Sequence, residues 1–203
     1  ITYGDDNKLM INNNGCFYFF KKQKNNLNEI TLKDEECKTL ANKIVNELEI
    51  FPEGYTYYGI IYGTGYNIKS PENTFTVSKE VVFTRKIDNI NVYGNSKVSI
   101  KLIDNGDIQS ISVNYRDIES KESSDNIVSV EKALDKINNF EGFISVPDET
   151  TKIIIDDVKI SYWEDSSKSY ENNTIQPVYE FTGIAYNGNE KIGEFTVVEQ
   201  IIE

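Results

Sequence analysis

The stretch that decides the fold is "VFTRKIDNINVYGNSKVSIKLIDNGDIQSISVNYRDI", residues 82–118, which reads as β-structure throughout. At its centre lies Asn105-Gly106, the dipeptide that most readily adopts the two left-handed positions of a type I′ hairpin turn. Such a turn predicts a set of facing residues: Asp104 with Asp107, Ile100 with Ile111, and Val98 with Val113, with Leu102 and Tyr115 on the same face. That face is apolar and the opposite face is mostly polar, which indicates a half-buried antiparallel platform.

Composition excludes several classes of function. The chain has 203 residues, enough for one large domain or two small ones, and its 21 Lys and Arg against 33 Asp and Glu give a net charge of −12. That charge argues against binding to nucleic acid and to anionic membranes. The mean hydropathy is −0.47, and the sequence has no apolar run long enough to span a bilayer. The absence of histidine removes the commonest general base and every zinc site that uses histidine.

Two segments have helical periodicity. "TLKDEECKTLANKIVNELEI", residues 31–50, has Thr31 as its expected N-cap and acidic residues in its first turn. Its apolar stripe comprises Cys37, Leu40, Ala41, Ile44, Val45 and Leu48. "SVEKALDKINNF", residues 129–140, has Ser129 as its expected N-cap and a stripe of Val130, Ala133, Leu134 and Ile137. Each half of the chain therefore contributes one predicted helix.

The remaining segments read as strands. An Asn14-Gly15 hairpin is expected near the N-terminus, and two strands joined around Ser70-Pro71 are expected between the first helix and the central hairpin. In "KIIIDDVKISYW", residues 152–163, alternation places four residues on the core face: Ile154, Val158, Ile160 and Tyr162. The polar segment 119–126 is a candidate linker. We predict an α+β fold of antiparallel sheets, each packed against one helix, in two related units at 1–118 and 119–203.

The C-terminal half resembles the bacterial YycI and YycH proteins and the wider group of PepSY-like domains. The resemblance rests on "SVEKALDKI", "IIIDDVKISYW" and "IQPVYEFTG". The matching positions are Ser129, Ala133, Leu134, Tyr162, Trp163, Pro177, Tyr179 and Phe181. The segment from Val81 also fits the family pattern, except that Asn89 and Asn91 stand where the family has glycine and proline.

This resemblance implies a PepSY-like or YycI-like fold without enzymatic activity, in an exported protein that is secreted or anchored at the cell surface, as a lipoprotein for example. Membrane contact is expected only through an N-terminal anchor, and the chain begins at Ile1 rather than methionine. YycI and YycH act by contacting a sensor kinase outside the membrane, whereas PepSY-like domains of propeptides inhibit a protease and assist its folding. The implied partner is therefore a protein.

No motif in the sequence indicates catalysis, a metal or a cofactor. Adjacent carboxylates are abundant: they occur at Asp34-Glu35-Glu36, Asp104 with Asp107, Asp156-Asp157 and Glu164-Asp165. In so acidic a chain these are expected to be solvated surface groups, apart from Asp156, which shares the parity of the core face unless it sits at a bulge. None has the spacing of a calcium loop, and the glycines of residues 59–65 match no phosphate-binding motif.

The segment "YTYYGIIYGTGY", residues 55–66, concentrates tyrosines between glycines. Tyrosine is common in strands and is also enriched in binding hot spots, so both roles are open. Tyr55 and Tyr57 share one parity, while Tyr58, Tyr62 and Tyr66 share the other. We predict that Tyr58, Tyr62 and Tyr66 face solvent and contact a protein partner, either through their rings or through the edge of their strand.

Cys16 and Cys37 present two alternatives. In an exported protein, an even number of cysteines suggests a disulfide, and Cys16 starts a strand that the helix bearing Cys37 is expected to cover. Equally, both can be small buried apolar residues.

Three functions remain open from the sequence. The first is a non-catalytic extracytoplasmic module that binds or regulates another protein. The second is a protease inhibitor or propeptide-like chaperone. The third is a carbohydrate-binding or carbohydrate-active protein, which would require two carboxylates converging beside an exposed Trp or Tyr.

Overall fold

The computed structural model describes residues 2–3, 7–12, 16–22, 28–49, 51, 53–67, 70–114, 127–139, 143–164 and 175–201. Within these residues the chain forms two helices, α1 (Asp34–Glu47) and α2 (Val130–Asn138). The strands are β1 (Thr2–Tyr3), β2 (Asn7–Ile11), β3 (Phe17–Lys21), β4 (Tyr55–Asn67), β5 (Ser70–Ile87), β6 (Ile90–Gly94), β7 (Lys97–Ile103), β8 (Asp107–Asn114), β9 (Phe143–Ser145), β10 (Lys152–Glu164), β11 (Ile175–Asn187) and β12 (Glu190–Gln200). The predicted α+β class is confirmed, with sheet predominating.

The chain divides into two compact units. The first comprises Ile1–Ile87 and Asn95–Asp117, and the second comprises Asp88–Gly94 and Ile118–Glu203. The division differs from the contiguous one predicted from sequence because β6 pairs with β10 and therefore belongs to the second unit. The predicted linker, residues 119–126, and the turn at Asn14-Gly15 lie outside the described residues.

The first unit is an antiparallel sheet in the order β1-β2-β3-β8-β7-β5-β4. One face of this sheet packs against α1. The buried residues of α1 are Cys37, Ala41, Ile44 and Val45, and they share a core with Val81, Phe83, Val98, Ile100, Leu102, Ile111 and Val113. The apolar stripe read from the sequence is thus the buried face of the helix, except that Leu48 is exposed.

The central hairpin has the predicted register along its body and a different turn. Ile100 faces Ile111 and Val98 faces Val113, as expected. The predicted two-residue turn is wrong, because Ile103 rather than Asp104 faces Asp107, and the positive φ values are at Asp104 and Gly106. A shift in register between Lys101 and Leu102 restores the predicted pairing further along the strands. The hairpin therefore has a three-residue loop followed by a bulge.

Helix α1 begins differently from the prediction. Its N-cap is Lys33 rather than Thr31, and the backbone N–H of Lys33 donates a 2.7 Å hydrogen bond to the carboxylate of Glu36. The Thr31 hydroxyl instead lies 3.4 Å from Asn105 of the hairpin loop. The acidic first turn, which includes Asp34, remains favourable at the positive end of the helix dipole.

The second unit is a sheet in the order β6-β10-β11-β12-β9, parallel between β6 and β10 and antiparallel elsewhere. The Oγ of Ser129 accepts a 3.3 Å hydrogen bond from the backbone N–H of Lys132, so the predicted cap of α2 is confirmed. Ala133 and Ile137 of α2 pack against β11 and β12, in a core with Phe181, Ala185, Phe195 and Val197.

The predicted core face of β10 is wrong. Ile154, Val158 and Ile160 are 40%, 41% and 53% exposed, and Ile153 and Ile155 pack against the core instead. Asp156 is the residue skipped between the paired residues Ile155 and Asp157, so it sits at a bulge and is exposed. The bulge changes which residues share a face. In addition, α2 has nine residues and is only about 13 Å long, so it is too short to cover the whole of the thirteen-residue strand β10.

Candidate functional site

Strand β4 forms an open edge of the first unit. It pairs with β5 along its length, and no second strand pairs with it among the residues that the structure describes. Its thirteen residues include no Lys, Arg, Asp, Glu or Pro. An open strand edge presents backbone N–H and C=O groups to which another strand can add. We call this side of β4, together with its exposed side chains, the β4 edge.

The exposed side chains of the β4 edge are mostly aromatic. Tyr58, Tyr62 and Tyr66, predicted to face solvent, are 55%, 51% and 64% exposed. Ile61 is 57% exposed, whereas Tyr55 is 5% exposed and belongs to the core. Each of the three predicted contact residues is therefore accessible in this unit.

The three tyrosines do not form the regular row that alternation predicted. Tyr57 faces Phe83 and Tyr62 faces Lys79, two residues of β5 that lie on the same face because they are four positions apart. Tyr57 and Tyr62 therefore share a face although they are five positions apart. The cause is a bulge at Tyr58, which is skipped in the pairing with β5.

Tyr62 is joined to the start of α1. Its phenol donates a 2.6 Å hydrogen bond to Oδ2 of Asp34, and Nζ of Lys79 donates to Oδ1 at 2.8 Å. Lys79 also donates to the carbonyl of Leu32 at 2.7 Å, and its ammonium lies 5.8 Å from the centroid of the Tyr62 ring. The hydrogen bond from Lys79, and then that from Tyr62, lowers the pKa of Asp34. The same bond to Asp34 raises the pKa of Tyr62.

Tyr57 is also held against α1. The ammonium of Lys38 lies 4.5 Å from the centroid of its ring, a distance suited to a cation–π contact. On its other side the ring meets Phe83 edge to face, with 6.3 Å between centroids. The α1 side of β4 is thus positioned by Asp34, Lys38 and Lys79. Sequence reasoning did not connect these residues with the tyrosines, because their partners are distant along the chain.

The glycines of β4 differ in their surroundings. A Cβ at Gly63 would collide with the side chain of Ser78, and one at Gly65 would lie 2.7 Å from Cγ1 of Val77. A Cβ at Gly59 would meet nothing within 4 Å. Glycine at 63 and 65 therefore permits close packing of β4 on β5, whereas Gly59 lies beside open space.

The two cysteines are buried and are not bonded to each other. Burial raises the pKa of the Cys37 thiol above its ordinary value. This geometry corresponds to the second of the two alternatives, in which both residues fill the core.

The carboxylates singled out in the sequence do not form a metal centre in the described part of the chain, where no group of three or more His, Cys, Asp or Glu side chains could hold an ion. Asp156 and Glu194 line an open depression of about 420 Å³ in the second unit, together with Lys191. No Trp or Tyr is among the described residues that line it. The expectation of solvated carboxylates is wrong for Glu164, which is 2% exposed, and Asp165 lies outside the described residues.

A buried carboxylate that sequence reasoning missed is Glu180, which is 3% exposed. Its Oε1 accepts a 2.9 Å hydrogen bond from the phenol of Tyr93 and lies 3.1 Å from Nζ of Lys159. Its Oε2 accepts a hydrogen bond from the hydroxyl of Ser161. These partners satisfy the carboxylate, so its role is to bind β6, β10 and β11 together.

Charge is distributed unequally between the two units. The first unit contains 14 of the 21 basic residues and 14 of the 33 acidic residues, so its formal charge is zero. The second contains the remaining 7 basic and 19 acidic residues and carries the whole net charge of −12. The β4 edge therefore belongs to a neutral unit.

Comparison with known proteins gives only distant similarities. No family model and no curated protein matches the chain. Among solved structures, the chain is similar to the C-terminal domain of Bacillus megaterium YpeB, with a TM-score of 0.43, 10% identity, and coverage of 97% of this chain and 83% of that one. It is also similar to an uncharacterised Eubacterium rectale protein, with a TM-score of 0.42, 14% identity, and coverage of 95% and 72%. Neither similarity assigns a function or a residue role.

The helices of the described residues include none that is both long enough and apolar enough to cross a bilayer.

Proposed function

We propose that this protein is a non-catalytic module that acts by protein–protein contact, and that the β4 edge is its contact surface. The observation that carries the proposal is a thirteen-residue strand that contains no charged residue and no proline and that pairs with no strand other than β5 among the described residues. An added strand would gain main-chain hydrogen bonds from this edge, and the exposed tyrosines would supply contact area at low entropic cost.

The open part of β10 supports this choice by contrast. Among the described residues, β6 pairs with β10 only along Tyr162–Glu164, so the earlier part of β10 is also open on that side. That part carries Lys152, Lys159 and the bulge at Asp156, which are devices that protect an edge from adding strands. Strand β4 also has a bulge, at Tyr58, and its register with β5 shifts between Gly63 and Thr64, but it carries no charged residue and no proline. The β4 edge is therefore the less protected of the two.

A place outside the cytoplasmic membrane and a sensor kinase as the regulated partner are part of the proposal. Their support is the resemblance of the C-terminal half to YycI, YycH and PepSY-like proteins. Inhibition of a secreted protease would use the same surface, and incubation with secreted metalloproteases separates it from kinase regulation. The depression beside Asp156 and Glu194 lacks a lining Trp or Tyr among the described residues, so no observation favours a carbohydrate function.

The test is site-specific photo-cross-linking in the native cells. A photoreactive phenylalanine analogue at position 58 or 66 should cross-link to one protein, identified by mass spectrometry. The double variant Tyr58→Ser with Tyr66→Ser should then lose most of the binding to that purified protein. Tyr62 is left intact because its phenol is bonded to Asp34.

The matched control is Ile154→Ser with Ile160→Ser, two residues of the second unit that are similarly exposed. This variant should bind the identified protein as the wild type does. Equal loss of binding in both double variants would show that the β4 edge is not the specific surface. A hydrolase or transferase activity of the purified chain would contradict the non-catalytic part of the proposal.

A further inference from the structure

The sequence of the β4 edge is nearly symmetric about Tyr62. Residues 58–66 read Y-G-I-I-Y-G-T-G-Y, so that Tyr58 and Tyr66, and likewise Gly59 and Gly65, lie at equal distances from the centre. An antiparallel pair of identical strands has a two-fold axis that requires such self-complementarity, because residue i contacts residue j and j contacts i. The exposed edge therefore matches a second copy of itself.

Placing the axis at Tyr62 gives favourable cross-strand pairs. Tyr58 of one copy, at the bulge of β4, comes near Tyr66 of the other, which brings aromatic side chains together across the pair. Ile61, which is 57% exposed, faces Gly63 of the second copy, so a large side chain meets a position without one. Ile60 faces Thr64, a β-branched pair suited to strands. No charged residue lies between positions 55 and 67, so no like charges face each other in this register.

The charge distribution allows this pairing. The first unit has a formal charge of zero, and the second carries all of the −12. Two copies that meet through the β4 edges therefore join neutral units. Pairing two copies through β10 would instead bring together acidic units and their exposed carboxylates at Asp156 and Asp157, which is unfavourable. The first unit has no net negative charge that would attract a cationic partner.

The geometry of Tyr62 is compatible with a two-fold axis. Tyr62 lies on the face of β4 that is directed towards α1, where its phenol is bonded to Asp34. In a continuous antiparallel pair, both copies present the same face on the same side. The two Tyr62 rings then lie side by side on that face, each still bonded to its own Asp34.

We propose that the β4 edge pairs with the β4 edge of a second copy of this chain, in antiparallel register with the two-fold axis at Tyr62. This inference rests on the proposed function, in which the β4 edge is a protein contact surface, and it names the strand that covers the edge. Pairing joins the sheets of two first units.

The test uses charges at Ile61. In the proposed register, residue 61 of one copy is a diagonal neighbour of residue 61 of the other on the same face, within reach of long side chains. The wild type and the uncharged control Ile61→Thr should be dimeric by sedimentation equilibrium at micromolar concentrations. Ile61→Lys alone and Ile61→Glu alone should each weaken the dimer about a hundredfold, because like charges meet. An equimolar mixture of the two charged variants should form a heterodimer.

The outcomes separate this inference from the proposed function. A monomeric wild type, or a mixture that fails to form the heterodimer, overturns the inference. If the double variant at Tyr58 and Tyr66 still loses its cross-linked partner in that case, the proposed function stands alone. Thermal melts of the charged variants check that each remains folded, which the exposure of Ile61 leads us to expect.

Discussion

The phenol of Tyr62 on β4 donates a 2.6 Å hydrogen bond to the carboxylate of Asp34 at the start of α1, two residues that are 28 positions apart. Lys79 of β5 donates to the other oxygen of the same carboxylate. One carboxylate therefore joins the helix to both strands and holds the face of the β4 edge that is directed towards α1.

Tyr62→Phe should raise the pKa of Asp34 towards its ordinary value. The pKa is lowered by Lys79 first and Tyr62 second, so the variant retains part of the shift. Because Asp34 is about half exposed, solvent screens the interaction, and we expect the free energy of unfolding at pH 7 to fall only slightly. Carboxyl NMR titration measures the pKa, and Tyr66→Phe is the control, whose Asp34 should titrate as in the wild type.

The stabilisation by Asp34 should depend on pH in a definite direction. A carboxyl whose pKa is lower in the folded state contributes stability above its unfolded pKa of about 3.9 and loses it as the pH falls through the folded value. The difference in unfolding free energy between the wild type and Tyr62→Phe should therefore be largest at pH 7 and decrease below about pH 4. Urea unfolding across this range measures it, and a difference that grows on acidification would contradict the assignment.

Replacing Tyr58 and Tyr66 together by serine should leave the melting temperature within a few degrees of the wild type. Both rings are more than half exposed, and surface substitutions usually change stability by about 0.5 kcal/mol or less. Adding Tyr62→Ser should lower it further, because the bond to Asp34 is lost. Collapse of the fold in the double variant would show that these rings belong to the core.

Gly183→Ala should lower the free energy of unfolding much more than Gly59→Ala does. A Cβ at Gly183 would collide with the backbone carbonyl of Ile154 and lie 2.8 Å from the Phe195 ring, whereas one at Gly59 meets nothing within 4 Å. We expect Gly183→Ala to cost about 2 kcal/mol or more of unfolding free energy. Gly59→Ala should change it by about 0.5 kcal/mol or less. Similar losses in both variants, measured by chemical denaturation, would refute the described packing of β10 on β11.

Glu180→Ala should destabilise the second unit by about 2–3 kcal/mol, because it leaves the hydroxyls of Tyr93 and Ser161 without their acceptor. Lys159 adds little to this loss because its side chain is 47% exposed and can be solvated. The control is Glu190→Ala at the exposed start of β12, which should be close to neutral. Calorimetry of the two variants compares them directly.

Cys16 and Cys37 should behave as two thiols. In the unreduced protein, a thiol reagent should titrate both after denaturation and react slowly with both beforehand, because both are buried and burial raises the pKa of Cys37. Cys16→Ala should remove one equivalent. Finding no thiol in the denatured, unreduced protein would establish a disulfide instead.

The hairpin at residues 97–114 shows how far local reasoning reaches. The Asn105-Gly106 turn predicted which residues of its body face each other, and alternation predicted which of them share a face, because the side-chain period of a strand is fixed at two. The predicted turn was one residue too short, and a bulge further along the hairpin restores the predicted pairing of its body. The same limit affected β10 and β4, where single skipped residues at Asp156 and Tyr58 changed the faces that simple parity assigned.

The sequence by itself determined the two helices, most of their buried stripes, the alternation of the strands and the presence of an uncharged tyrosine-rich segment. These features depend on residues within a few positions of one another, where backbone geometry sets the spacing. Tertiary structure decided that β4 is an open edge, and that Asp34 meets Tyr62 and Lys79 across 28 and 45 positions. It also decided how Glu180 is buried. Strand order, bulges and long-range contacts are set by how all the elements pack together, and this packing is not encoded in local periodicity.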